Sequence, residues 1–450
     1  VKREHWKSRF GFMWAAIGSA IGLGSIWRFP YVVGQSGGAL FILLFAVCLL
    51  LVGIPTLLAE IVIGRKTHLS PEGAFSALGK KSWGKWGALT VLTGFIISSF
   101  YSVIAGWTLG YLIESLLFGF SSVSTESIAS QKFFSLTMNG YWTVGYHAVF
   151  MALSGMILFF GIQKGIESWN KVLMPLLMLL LFGLVFHGLF LPNAKQAIDF
   201  LLHPDLTEMT PKVVIMALGQ AFFGLSLGQG TMVTYGSYLT RKENVLKICL
   251  PIASSVIFVS LMAGIAIYTT VFSQNMQVNS GPNLMFQVLP LVFSKMAFGR
   301  LFSILFFLLI FLAGLTSQIS AMEPTIAYLM ENKGFKRHQS VWICATVAFI
   351  LGVPSALSFG LLRDYTLFGM NFFELISYLS INILVPIGGF LAVILLGYKV
   401  SKRDTIEHLD LGADGLLKRS SLIKRVFLFN IRYITPGLIL LILLNLLGVI

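Results

Sequence analysis

Apolar runs and short polar connections alternate along the whole chain. The apolar runs fall at roughly 10–37, 39–64, 87–119, 142–161, 167–190, 212–238, 246–273, 301–331, 340–357, 372–398 and 428–448, each near the roughly 20 residues a helix needs to cross a bilayer. They predict an all-α integral membrane protein with about 11 transmembrane helices. Two of the runs are broken by glycine. The first contains Gly-Ser-Ala-Ile-Gly-Leu-Gly-Ser-Ile-Trp-Arg-Phe-Pro from Gly18 to Pro30, and the sixth contains Phe-Gly-Leu-Ser-Leu-Gly-Gln-Gly from Phe223 to Gly230. In hydrocarbon an unpaired N–H or C=O costs several kcal/mol, so unwound backbone persists only where it lines a cavity or binds something. Breaks in spans one and six also place them in corresponding positions of two five-span halves. An odd number of crossings inverts the second half, so the pattern predicts a 5+5 inverted repeat with a binding site where the unwound helices meet. The first repeat covers about 8–190, the second about 212–398, and an extra helix about 424–450, all within one transporter domain, 1–450.

Composition agrees with a membrane solvent. Of 450 residues, 56% are hydrophobic and only 11% charged, and the mean hydropathy is +0.84, too apolar for the surface of a water-soluble domain. The formal charge of +14 invites a nucleic-acid partner, but its placement points to topology instead. Basic residues crowd alternate connections: Lys2, Arg3, Lys7 and Arg9; Arg65, Lys66, Lys80, Lys81 and Lys85; Lys333, Lys336 and Arg337; and the run from Lys399 to Arg432. The positive-inside rule then puts the N-terminus in the cytoplasm and the C-terminus outside, with the lipid bilayer rather than nucleic acid as the partner. Cys48, Cys249 and Cys344 stand singly in apolar runs, without the spacing of a metal or redox site. No nucleophile–base pair or phosphate loop argues for an enzyme, and Gly22-Leu-Gly24 lacks the third glycine and the βαβ setting of a dinucleotide fingerprint.

Several motifs together carry a family resemblance: Arg3-Glu-His-Trp6, the Gly18 to Pro30 stretch, Val52-Gly-Ile-Pro55, Trp107-Thr-Leu-Gly110, Gly165-Ile-Glu167, Gly219-Gln220, Leu225-Ser-Leu-Gly228, Ala313-Gly-Leu-Thr-Ser317 and Arg432-Tyr-Ile-Thr-Pro436. From residue 1 to the end of the eleventh span the chain resembles the neurotransmitter:sodium symporter family, in particular its bacterial amino-acid transporters. The resemblance implies the leucine-transporter-like fold, a location in the bacterial inner membrane, and sodium as the coupling ion.

The family's second sodium site maps onto the carbonyls of Gly18, Ile21 and Ala313 and the side chains of Thr316 and Ser317. Oxygen ligands of this kind suit a hard cation; the competing reading is that both hydroxyls bond back to their own helix. At the first sodium site the matching positions are Ser25, Gly224 and Val256, with backbone from Ala20, so side-chain oxygens are lost and the site is expected to be absent or degraded. A one-residue slip in the seventh span would put Ser255 at the Val256 position. The chloride site of animal relatives keeps Gln220 and Ser260 but has Phe45 and Gly224, so chloride dependence is not expected.

For the substrate, the resemblance assigns a carboxylate to Tyr101 and to the amides of Gly22, Leu23 and Gly24, where a half-helix N-terminus favours an anion. Ser19, Ala20, Ile97, Phe223, Gly224, Ser226, Gln229, Ser317, Gln318 and Ala321 complete the expected pocket. Gly224 and Ala321 leave room for a bulky group while Gln229 and Gln318 bring amides, so apolar and polar substrate side chains both stay open. Arg28 resembles the outer-gate arginine, with Glu374 as its acid, Asn371 as the competing alignment, and Tyr101 and Phe223 closing beneath. Arg3, Trp6, Tyr238 and Glu331 match the inner gate. Glu60 and Glu323 are further intramembrane acids that carry protons or cap unwound helices. The expected function is sodium-coupled import of a neutral, hydrophobic α-amino acid by alternating access, with one sodium ion per cycle. The alternatives are a proton-coupled transporter and a non-transporting amino-acid sensor.

Overall fold

The computed structural model describes residues 4–240, 243–274, 285–411 and 421–446. Among them nine helices are long and apolar enough to cross a membrane: Ala39–Thr67, Lys81–Leu117, Gly140–Phe159, Ile162–Leu189, Val245–Phe272, Gly299–Asn332, Arg337–Leu357, Phe372–Lys399 and Lys424–Asn445. Arg9–Ala20 and Gly24–Gln35 form a further span bent by 48°. Pro211–Gly224 and Thr231–Ser237 are two shorter pieces on either side of the second glycine-rich stretch. These segments coincide with the eleven apolar runs, the first and the sixth each being built from two shorter helices. β-structure among the described residues amounts to one isolated bridge, Leu367 to Met370.

Proline shapes four of these spans in the same way. Phe29, Ile54, Val385 and Thr435 each precede a proline, and each donates its N–H to the carbonyl five residues back, Gly24, Leu49, Ser380 and Asn430. A proline ring in a helix clashes with the carbonyl four residues earlier and offers no N–H. Widening the preceding turn from an i−4 to an i−5 ladder relieves the clash and keeps the backbone paired, giving a single π-turn. The span continues instead of breaking, which hydrocarbon requires.

The third and eighth spans form the centre, with 72% and 67% of their most apolar windows buried, whereas the eleventh is 28% buried and lies outermost. Large side chains such as Val172, Leu179 and Phe186 on the fifth span are exposed, as expected of a surface solvated by acyl chains rather than water. The broken first and sixth spans lie inside this frame.

Candidate functional site

Both breaks have defined geometry. The first helix stops at Ala20, and Ile21 leaves helical backbone at φ −92°, ψ 80°. The sixth stops at Gly224, after which Ser226, Gly228 and Gly230 all take positive φ. Glycine is required at 228, because a Cβ there would come within 1.9 Å of the Val385 carbonyl oxygen. The Gly228 N–H, released from helical pairing, donates to the buried Glu60 Oε1 at 2.7 Å, so Glu60 caps the unwound segment. Ser226 is the one non-glycine held at positive φ here, and its hydroxyl donates to the Ser19 carbonyl at 2.8 Å. That bond ties one break to the other.

A small cavity of ≈ 40 Å³ lies between them, lined by Ser19, Ala20, Gly22, Gly24, Ile97, Tyr101, Phe223, Ser226, Leu227, Gln229, Ser317, Ala321 and Val385. Leu227 and Val385 were not anticipated. Three expected residues do not line it. Leu23 contributes only its N–H, which donates to the Tyr101 hydroxyl at 3.1 Å. Gly224 faces away from the cavity, as described below. Gln318 is turned toward the third span, where its amide donates to the Ser98 carbonyl at 3.0 Å; a helix position one residue past Ser317 points about 100° around the axis, away from the break. Gln229 is thus the one amide of the two that reaches the cavity, and most of the wall is apolar. Gly22 is pressed against the site, since a Cβ would sit 2.1 Å from Ser317 Oγ and 2.8 Å from the Tyr101 hydroxyl.

Ser317 Oγ lies 3.0 Å from the Ser19 carbonyl and 3.4 Å from that of Gly18, bonding across to the first span. Thr316 Oγ1 donates to the Ala313 carbonyl of its own helix at 3.0 Å. Thr316 thus bonds back to its own helix, as the competing reading has it, whereas Ser317 bonds across to the first span. Gly18, Ala313, Thr316 and Ser317 bring together carbonyl and hydroxyl oxygens with no sulfur or nitrogen, a donor set suited to a hard cation. On the other side of the break Ser25 Oγ donates to the Ala20 carbonyl at 3.2 Å. A Cβ at Gly224 would meet Val256 Cγ1 at 3.4 Å and the Phe45 ring at 3.9 Å. Val256 rather than Ser255 therefore stands opposite Gly224, and this side is apolar.

Arg28 and Glu374 line one cavity of ≈ 360 Å³, with Tyr31, Met370, Ser377, Tyr378, Ile381 and Asn382, but they form no ion pair. Arg28 donates to Gln220 Oε1 at 2.9 Å and its guanidinium lies 5.2 Å from the centre of the Phe223 ring. Gln220 in turn donates to the Gly24 carbonyl at 2.9 Å. Glu374 accepts the Asn371 N–H at 3.0 Å while Asn371 Oδ1 accepts the Glu374 N–H at 2.9 Å, a reciprocal helix cap. The two residues considered opposite Arg28 thus hold each other, and of them Glu374 lines the cavity with Arg28.

At the opposite end Arg3 lies outside the described residues. Trp6 is 8% exposed; its indole N–H donates to the Tyr235 carbonyl at 3.0 Å and its backbone N–H to the Tyr238 carbonyl at 3.3 Å. Glu331 accepts the Ser70 N–H at 2.7 Å. The acid that meets the Tyr238 hydroxyl is Glu323, at 2.7 Å, and Arg337 grips both Glu323 oxygens at 3.0 and 2.8 Å. Tyr238 follows the second half-helix inward to the buried acid, and a bidentate arginine makes burial of that acid tolerable. Glu167 was missed altogether. Its carboxylate accepts the Lys7 N–H at 2.7 Å, the Ser8 hydroxyl at 2.9 Å and Lys171 Nζ at 2.6 Å, fastening the start of the first helix to the fifth span. The signal was present in the Gly165-Ile-Glu167 motif and in Ser8, whose hydroxyl accepts the Gly11 N–H as the N-cap.

Comparison with known proteins places this geometry in context. The family model described as "Sodium:neurotransmitter symporter family" matches residues 3–132 and 135–446. The sodium-dependent transporter YhdH of Bacillus subtilis is 38% identical, covering 100% of this chain and 98% of its own length. The sodium- and chloride-dependent taurine transporter of Homo sapiens is 27% identical over 80% of this chain and 67% of its own. Among solved structures, MhsT in complex with L-phenylalanine superposes with a TM-score of 0.90 at 36% identity, covering 99% of this chain and 100% of MhsT.

Proposed function

The chain belongs to the sodium:neurotransmitter symporter family of sodium-dependent membrane transporters, which are not enzymes, and from that premise we propose that it imports a neutral, hydrophobic α-amino acid together with one sodium ion. The observation that carries this reading is the cavity between the breaks. At one end the Tyr101 hydroxyl accepts the Leu23 N–H, which leaves its own proton to donate to a carboxylate beside the Gly22 and Gly24 amides. The rest of the wall is Ile97, Phe223, Leu227, Ala321 and Val385, suited to an apolar side chain. L-Phenylalanine in the similarly folded MhsT supports the same class of substrate.

Sodium is the cargo that couples transport, and the oxygen cluster of Gly18, Ile21, Ala313, Thr316 and Ser317 is its proposed cradle. A stoichiometry of one is supported by the surroundings of Gly224, which has no side chain and faces Val256 and the Phe45 ring, leaving Ser25, already bonded to the Ala20 carbonyl, as the side-chain oxygen on this side. Phe45 and Gly224 also speak for chloride independence, in contrast to the sodium- and chloride-dependent taurine transporter. In this reading the domain is two inverted five-span repeats plus the extra helix, set in a bacterial cell membrane with the N-terminus cytoplasmic. Trp6, Tyr238, Glu323 and Arg337 close the cytoplasmic end while the Arg28–Glu374 cavity stays open, an outward-facing arrangement. Alternating access exchanges the two.

Uptake into proteoliposomes tests this directly. Screening the twenty amino acids with and without an inward sodium gradient is expected to give sodium-dependent accumulation of apolar ones, with a sodium Hill coefficient near one. A coefficient approaching two would overturn the single-ion stoichiometry, and uptake driven by a pH gradient without sodium would overturn sodium coupling.

A further inference from the structure

Asn170 lies on the fifth span, three residues beyond the π-turn Ile162–Glu167, and is 0% exposed. Its Nδ2 donates to the Ile166 carbonyl at 2.8 Å, while its Oδ1 has no hydrogen-bond partner among the described residues. The amide cannot be turned over to remove the problem, because only the nitrogen end can serve a carbonyl acceptor. A buried, unpaired amide oxygen is costly and calls for a physical explanation.

Its position supplies one. Oδ1 is aimed at Gly18, where a Cβ would lie 2.2 Å away, and the Gly18 carbonyl belongs to the oxygen cluster approached by Ser317. Two turns nearer the start of the first helix, a Cβ at Gly11 would lie 2.0 Å from Glu167 Oε1, one turn below Asn170 on the fifth span. The seam between the two spans is therefore close-packed through glycines on one side and carries oxygens on the other. From the cradle toward the end of the bundle where the N-terminus lies, those oxygens come in the order Gly18, Asn170, Glu167.

We propose that Asn170 Oδ1 is a transit ligand for sodium, receiving the ion from the Gly18–Ser317 cradle as it leaves toward the N-terminal face. The proposal rests on the cradle being the sodium site. In the arrangement described here Asn170 stands beside Gly18 of the proposed cradle. When the first helix loosens from the fifth span, Oδ1 becomes the nearest oxygen into which the ion can step, and an apolar side chain there would leave a gap in its coordination. No bond is made or broken covalently, so the step needs only the ion.

The test uses the full chain in proteoliposomes with radiolabelled L-phenylalanine, and the purified full chain for equilibrium sodium binding. Asn170→Leu keeps the branched shape and removes the oxygen. It is expected to slow net sodium-driven uptake about tenfold while exchange under saturating sodium on both sides, which needs no sodium release, stays within about twofold of the parent. Asn170→Asp offers a charged oxygen at the same place and is expected to lower the sodium concentration for half-maximal binding about threefold or more. Parental net uptake in Asn170→Leu, an equal loss of exchange and net uptake, or Asn170→Asp binding sodium no more tightly than the parent would each overturn the proposal. Thr316→Ala separates this from the cradle itself. If sodium binding survives Thr316→Ala, the cradle reading fails; if binding is lost there while Asn170→Leu transports like the parent, only the role of Asn170 fails.

Discussion

The two sides of the break in the first span share one stretch of unwound backbone and differ in what faces it. Toward the eighth span stand Thr316 and Ser317, with hydroxyls at 3.0 Å from carbonyls of Ala313 and Ser19. Toward the second, sixth and seventh stand Phe45, Gly224 and Val256, where the atoms nearest to a Cβ added at Gly224 belong to the Val256 and Phe45 side chains. Unwinding frees carbonyls on both sides, but the few carbonyls of one break supply only part of the roughly six oxygens a hard cation takes. In the proposed reading the neighbouring helices therefore set how many ions the broken helix holds.

This contrast can be broken or sharpened at four points. The largest effect is expected on the oxygen-rich side, where Thr316→Ala removes a proposed ligand of a charged guest and is expected to raise the sodium concentration for half-maximal binding about a hundredfold. Tyr101→Phe acts between the two sides, and is expected to weaken amino-acid binding about tenfold while leaving sodium binding in the absence of substrate near the parental value. Isothermal titration with each ligand separately checks the split. Combining Gly224→Ser with Val256→Asn puts oxygens on the apolar side; a second ion accepted there raises the Hill coefficient for sodium above the parental value. The smallest effect belongs to Ser25→Ala, expected to change sodium affinity by less than about twofold, because that hydroxyl is already taken up by the Ala20 carbonyl and contributes one ordinary hydrogen bond. A tenfold loss at Ser25 would mean that an ion occupies this side after all.

Much of this was legible in the sequence because the bilayer imposes a simple grammar. Length and apolarity marked the spans, and glycine at membrane depth marked both breaks. Side-chain direction was harder to read. Gln318 follows Ser317 directly, yet points to Ser98 rather than into the cavity, and only the packed orientation of the eighth span decides that. Glu374 was found, but its engagement with Asn371 was not, since a helix cap depends on where the helix starts, and starts are the least certain feature of a sequence reading. Glu323 was noticed as a buried acid without its arginine, because Arg337 lies across a turn and the rule that buried charges need partners does not name the partner. Glu167 escaped because its charged partner, Lys171, sits on its own helix, and its partners across on the first span are a backbone N–H and a hydroxyl, which carry no charge pattern.

The π-turn that precedes Pro386 has a consequence of phase. One extra residue in a turn rotates everything beyond it by about 100° relative to an unbroken helix, so the tenth span presents two different faces in sequence along its length. Before the turn, Glu374, Ser377 and Tyr378 border the cavity shared with Arg28. After it, the Val385 carbonyl and Gly388 press against Gly228, the latter so closely that a Cβ would lie 2.0 Å from the Gly228 carbonyl oxygen. The inserted residue acts as a dial between the two faces. Deleting one residue from 379–384 and replacing Pro386 would turn the two halves of the span back into register, and could then satisfy the cavity or the clamp on the sixth span but not both.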